Sequence, residues 1–167
     1  MSDPGQATTR LHVKPLPAAA AAALPNDRQT ATEILGATLP SAWPQSDLLA
    51  VLPMQAAADA DQERFGVWVM IERRTNRVVG DIGFMGPPND GVVEIGFSVI
   101  PDRRRRGYAT EAAAAIVDWA LRERGIRGVI ARCDAGNRAS IRVLERVGLV
   151  RTGEVDGQIR WHRSAPE

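Results

Sequence analysis

Lysine is almost missing from this 167-residue chain: Lys14 is the only one, so arginine supplies 20 of the 21 basic side chains. A Walker phosphate loop needs Gly-Lys-Ser/Thr, and Lys14 sits instead in Val-Lys-Pro, so that nucleotide site is excluded. A Schiff-base mechanism would have to rest on the same residue, whose context offers nothing to activate it. Soft ligands are equally scarce. Cys133, His12 and His162 are too few for a structural zinc site of the usual Cys/His composition. One cysteine forbids an intrachain disulfide, which agrees with a reducing compartment and an expected cytoplasmic location. Long apolar runs are missing too: the alanine stretch Ala18–Ala23 lies between Pro17 and Pro25, far short of the ~20 residues a bilayer span needs. No signal sequence is read, and no membrane partner is expected.

What is present is ordinary in amount and uneven in placement. Hydrophobic residues make up 44% and charged residues 25%, enough for one cored domain. We expect a tail over residues 1–9 and a single domain over residues 10–167. The net charge of +1 hides an asymmetry, because residues 1–100 carry 7 basic and 11 acidic side chains and residues 101–167 carry 14 and 9. A basic C-terminal part suits an anionic ligand and an acidic N-terminal part a cationic one, unless the charges only solvate the surface. The near-neutral total and few aromatics argue against a dedicated nucleic-acid reader.

Periodicity supplies the elements. Residues 10–16 alternate as an opening strand, after a polar segment through Arg10 that reads as frayed. Residues 17–60 read as broken helices punctuated by Pro25, Pro40, Pro44 and Pro53, with Ser46-Asp47 opening a helix that Pro53 should limit. Residues 65–71, 78–85 and 92–100 form an antiparallel meander by turn chemistry. An alanine-rich helix from about residue 109 to 124 presents Ala112, Ala113, Ile116, Trp119 and Ala120 on one face. Residues 129–133 make a short strand, parallel to the one before the helix through a right-handed crossover. A second helix over residues 138–147 stops at Gly148, and two strands follow around Asp156-Gly157.

Between strand and long helix lies Arg103-Arg104-Arg105-Arg106-Gly107-Tyr108-Ala109. A helix N-terminus offers unpaired amides and partial positive charge, and Gly107 lets the backbone approach a ligand, so this turn is an anion site. Gly80, Gly83 and Gly86 lack the spacing of a dinucleotide fingerprint.

Arg104-Arg105-Arg106-Gly107-Tyr108-Ala109 resembles the Arg/Gln-x-x-Gly-x-Gly/Ala motif of the GNAT acyltransferases. A second signature is in register with it: Asn137, the small Ser140 three residues later, then Gly148-Leu149. Glu94-Ile95-Gly96-Phe97 and Ala109-Thr110-Glu111-Ala112 are similar to the ribosomal-protein N-terminal (RimJ/RimL-like) branch. The likeness covers roughly residues 65–155 well and the rest by architecture. It implies a mixed α/β GNAT fold, whose mostly antiparallel sheet is split around the acyl-CoA site and flanked by helices.

The resemblance further implies an acetyl-CoA-dependent N-acetyltransferase acting on a primary amine by direct transfer in a ternary complex. Main chain at Arg104, Arg105, Arg106, Gly107, Tyr108 and Ala109 would hold the pyrophosphate, and Phe97, Ser98 and Val99 would pair with the pantetheine amides. Asn137, a helix N-cap on its own residues, would also bond the thiol end. Ser140 would protonate the departing thiolate; many family members carry a Tyr near the position of Leu144, which this chain lacks. Glu94, flanked by Val92, Val93 and Ile95, is the candidate base, against a reading as a solvent-facing strand position. Glu154 and Asp156 stand behind it. Tyr108 is expected to pack, Glu111 to complement the helix dipole, Cys133 to act as a small hydrophobe, and the four Trp to wall the core or cleft. No metal is called for. A CoA-binding module without efficient chemistry is the alternative, and oligomeric state, a homodimer included, stays open.

Overall fold

A computed structural model describes residues 4–167. Among these residues eight strands form one sheet: β1 (Gln6–Ala7), β2 (Leu11–Pro15), β3 (Val67–Glu72), β4 (Arg77–Phe84), β5 (Val92–Val99), β6 (Gly128–Asp134), β8 (Gln158–Ser164) and β7 (Val150–Val155), in that spatial order. Every pairing is antiparallel except β5 with β6. The expected tail departs from its reading at Gln6–Ala7, which pair with His12 and Val13 of β2. Its first three residues lie outside the described residues.

Alternation along the central strands sends side chains to two cores. Trp68, Met70, Val93 and Ile95 meet α5 (Tyr108–Arg122) and α6 (Arg138–Arg146) on one face. Val69, Ile71 and Val78 meet α1 (Ala18–Ala23), α2 (Arg28–Leu35) and α3 (Ser46–Ala56) on the other. α5 packs on the sheet with Ala112, Ala113 and Ala120 among its buried residues beside Ile116 and Val117, and Trp119 fills space against Phe65, Trp68 and Phe84. Gly148 takes the left-handed conformation (φ +86°) that ends α6.

Pro53 does not limit α3, which continues to Ala56. A proline inside a helix removes one amide donor, and tertiary contacts offset that loss here. Leu48, Leu52 and Gln55 form the buried stripe, with Gln55 donating to the Leu16 carbonyl (2.8 Å) and accepting from the Val67 amide (3.1 Å). α3 is thereby pinned to the ends of β2 and β3, and α4 (Ala60–Arg64) leads into β3.

Candidate active site

β5 and β6 pair only from Val92 to Ile95 against Gly128 to Ala131. β6 then follows β8 as far as Asp134 opposite Gln158, and leaves the rest of β5 unpaired on that side. In the antiparallel pairing with β4, the main chain of Glu94 and Ile100 bonds Met85 and Val79. The strand alternation therefore turns the N–H and C=O groups of Phe97 and the N–H of Val99 toward the split. Ser98, expected to share that role, has its main chain turned to β4, while its hydroxyl accepts from Gln45 Nε2 (2.8 Å).

The split opens into a cleft of about 770 Å³ whose walls come from α3, β4, β5, β6 and α6. Ser140 and Asn137 line it from the α6 side. Asn137 caps α6 by accepting the Ser140 amide (3.1 Å), as its sequence position predicts. Glu94 stands one side chain back. Its carboxylate pairs with Arg132 (3.2 Å), and it is Arg132 that reaches the lining. Glu154 bonds Arg151 on β7 (2.8 Å) and Asp156 occupies the hairpin turn, so neither joins the cleft. Cys133 is buried, its sulfur accepting from Trp161 Nε1 (3.3 Å).

At the end of β5 the chain makes a 3-10 turn (Pro101–Arg103) and enters α5 through Gly107. Arg105 (φ +63°) and Gly107 (φ +83°) are both left-handed, which turns successive amides toward one side. The amides of Arg105, Arg106, Gly107, Tyr108, Ala109 and Thr110 donate to no group among the described residues. A Cβ on Gly107 would stand 3.3 Å from Arg10 Nη2 as well as in a strained backbone region. The arginines of the turn divide their work: Arg105 and Arg106 are exposed, Arg103 faces Asp102 (3.5 Å), and Arg104 folds back to the Val99 carbonyl (2.9 Å) and Gln45 (3.2 Å).

Two carboxylates brace this turn from beneath. The Tyr108 hydroxyl donates to Glu72, and that bond, followed by one from Thr75, holds the Glu72 carboxyl below its usual range against the upward push of burial. Burial, then Glu72, pushes the Tyr108 hydroxyl up, so it packs as a neutral donor. Burial also pushes Glu111 up, but hydrogen bonds from Thr8 and Arg10 outweigh it and leave the carboxyl lowered. Arg10 reaches the turn itself, donating to the Arg106 carbonyl (2.8 Å) while its guanidinium lies 4.5 Å from the Tyr108 ring centre. Arg10 was invisible as a site residue in the sequence, because its contacts are about a hundred positions away.

The split sheet and the amide-lined turn coincide with a known family. Residues 10–150 match the acetyltransferase (GNAT) domain. The chain belongs to the GNAT acetyltransferases. This GNAT protein is 32% identical to the uncharacterised N-acetyltransferase YjdG of Bacillus subtilis over 133 residues, 77% of this chain and 79% of that one. A GNAT-family acetyltransferase structure from Bacillus anthracis superimposes with a TM-score of 0.68 at 19% identity, covering 98% of this chain and 99% of the other. RimL, a ribosomal alpha-N-protein acetyltransferase solved in complex with coenzyme A, does so with a TM-score of 0.65 at 15% identity, covering 95% and 96%. At such identities the likeness is one of fold.

Within this acetyltransferase the largest surprise is Asp81, on β4 opposite Ser98. It is only 8% exposed and lines the cleft. Burial pushes its carboxyl up to about 7 against the pull of a hydrogen bond from Trp43 Nε1 (3.0 Å), with Asp47 adding to the rise. A lone carboxylate inside the apolar run Val78-Val79-Gly80-Asp81-Ile82 was the available signal for it.

Proposed function

We propose that the protein moves the acetyl group of acetyl-CoA directly onto a primary amine, with both substrates held in the one cleft. The observation that carries this reading is the coincidence of two features that fit CoA. A run of unpartnered amides leads into the first turn of α5, and an unpaired strand edge at Phe97 and Val99 leads from them into the split. The amides of Arg105 to Thr110 bind pyrophosphate oxygens, helped by the N-terminal field of α5. The Phe97 edge pairs with the amides of the pantetheine arm as a strand would. The thioester supplies an activated acetyl group, and the cleft supplies the approach.

Four side chains act around that approach. As the amine nitrogen bonds the acetyl carbon and the C–S bond breaks, Ser140 passes a proton to the departing thiolate and regains one shed by the nitrogen, from the first turn of α6, whose start Asn137 fixes. Glu94 works through Arg132, holding its guanidinium at the wall, and is a positioning residue in this reading. Holding the two substrates in register supplies most of the rate.

Release of free CoA from acetyl-CoA, measured with and without primary amines and short peptides, tests the proposal. Amine-dependent release with a matching acetylated product is expected. CoA binding by calorimetry with no release from any amine would favour the binding-module alternative.

A further inference from the structure

The acceptor side of the cleft has a chemistry of its own. Asp81 Oδ2 takes the Trp43 indole N–H, and among the described residues no group donates to Oδ1. No cationic side chain pairs with this carboxylate among the described residues. Asp47 on α3 adds negative charge that pushes this carboxyl up further, and the cross-strand neighbour of Asp81, Ser98, accepts from Gln45, which accepts in turn from Arg104. A buried carboxylate with one open oxygen is completed by a compact cation that donates hydrogen bonds.

Farther along the cleft the walls are apolar and exposed. Val51 and Met54 on α3 and Met85 after β4 line the same cleft, and Met54 and Met85 are 75% and 68% exposed. Met85 lies across Gly96, where an added Cβ would stand 2.6 Å from its terminal methyl. Gly96 is the first β5 residue past the split, so Met85 borders the place where transfer occurs. Unbranched, polarisable side chains of this kind adapt to apolar groups of varied shape.

We infer that Asp81 receives the acceptor's ammonium group and takes the proton whose loss frees the nitrogen to reach the thioester, while Val51, Met54 and Met85 receive an apolar substituent farther along the cleft. The acceptor class is then a primary amine that carries an apolar substituent, rather than an amino sugar, whose hydroxyls would lose water against the methionines without gaining a partner. A polyamine, whose second cation would meet Asp47 or Asp134 on the same cleft, is the competing outcome of the test. The inference rests on the acetyl-transfer reading for its chemistry, but its binding step is measurable without turnover.

The test titrates amines into the protein saturated with CoA, by calorimetry, alongside acetyl-CoA turnover. The probes are phenethylamine, a Met-Ala-Ala amide, spermidine and glucosamine. Phenethylamine or the peptide should bind at least about tenfold more tightly than spermidine and glucosamine, the stronger of the two telling a small amine from a chain N-terminus. Asp81→Asn should weaken the favoured amine at least about tenfold, and CoA itself by less than about twofold. Met54→Ser, on an exposed helix face, should lower affinity for the favoured amine and leave glucosamine unchanged. Equal amine affinity in Asp81→Asn, or preference for spermidine or glucosamine, would overturn the inference. Amine binding with this pattern but no acetylation would instead count against the acetyl-transfer reading alone.

Discussion

On the donor side, the groups proposed to meet CoA are main-chain amides of consecutive residues, Arg105 to Thr110, presented by two left-handed residues and a helix start. On the proposed acceptor side they are side chains gathered from Trp43, Asp47, Met54, Asp81 and Met85, which share no local segment. Main-chain binding tolerates almost any side chain that keeps the backbone, so arginine can fill the turn freely. Side-chain binding fixes chemistry residue by residue, so the proposed acceptor side is where specificity would be set.

The sharpest way to break that contrast is to change backbone on the donor side. Gly107→Val should abolish CoA binding in calorimetry: the left-handed φ alone costs ~1–2 kcal/mol, and the new side chain crowds Arg10 and re-aims the amides. Measurable binding near the native affinity would show that side chains, not amides, hold the ligand.

On the acceptor side the next largest effect is in stability. Asp81 has its carboxyl raised from an ordinary 3.8 to about 7. Its contribution to stability is therefore full below about 3.8 and is lost as pH rises through about 7. Asp81→Asn, which keeps an acceptor for Trp43, removes that loss. The variant's urea midpoint should exceed the native one at pH 8.5 and converge with it near pH 4. A midpoint lowered throughout would make Asp81 a structural residue. Together with weaker amine binding, a gain at high pH marks a group kept for function at a cost in stability.

Ser140→Ala should lower kcat by about tenfold to a hundredfold with acetyl-CoA affinity unchanged. An unchanged kcat would leave thiolate protonation to solvent. Asn137→Ala removes the cap of α6 and should cost about 1 kcal/mol of stability in denaturant unfolding. At the small end, Arg105→Ala retains its amide and should weaken CoA by less than about threefold at moderate salt. Equal losses in Arg105→Ala and Gly107→Val would erase the distinction between the two sides.

The same contrast explains what could be read from the chain. The meander, the crossover and the turn at Gly107 are local patterns, and β3, β4, β5, α5, β6 and α6 fall where periodicity and glycine place them. Asn137 and Ser140 are likewise three residues apart on one helix start, and the structure puts both at the cleft. Pro53 was misread because Gln55's bonds to Leu16 and Val67 hold α3 together, and those partners lie outside any helical window. Gln6–Ala7 looked frayed because pairing with β2 is invisible in a two-residue strand. Glu94 showed its apolar neighbours in sequence but not Arg132, which arrives from the parallel strand. Asp81 and Trp43 meet across 38 positions, so no spacing rule could join them.

The central proposal is that the amide turn and the acceptor side chains serve one cleft, and steady-state kinetics tests it most directly. Initial velocities measured while acetyl-CoA and an accepted amine are varied together should give intersecting double-reciprocal lines, the pattern of a ternary complex. Parallel lines, the mark of an acetylated enzyme that releases CoA before the amine binds, would contradict it.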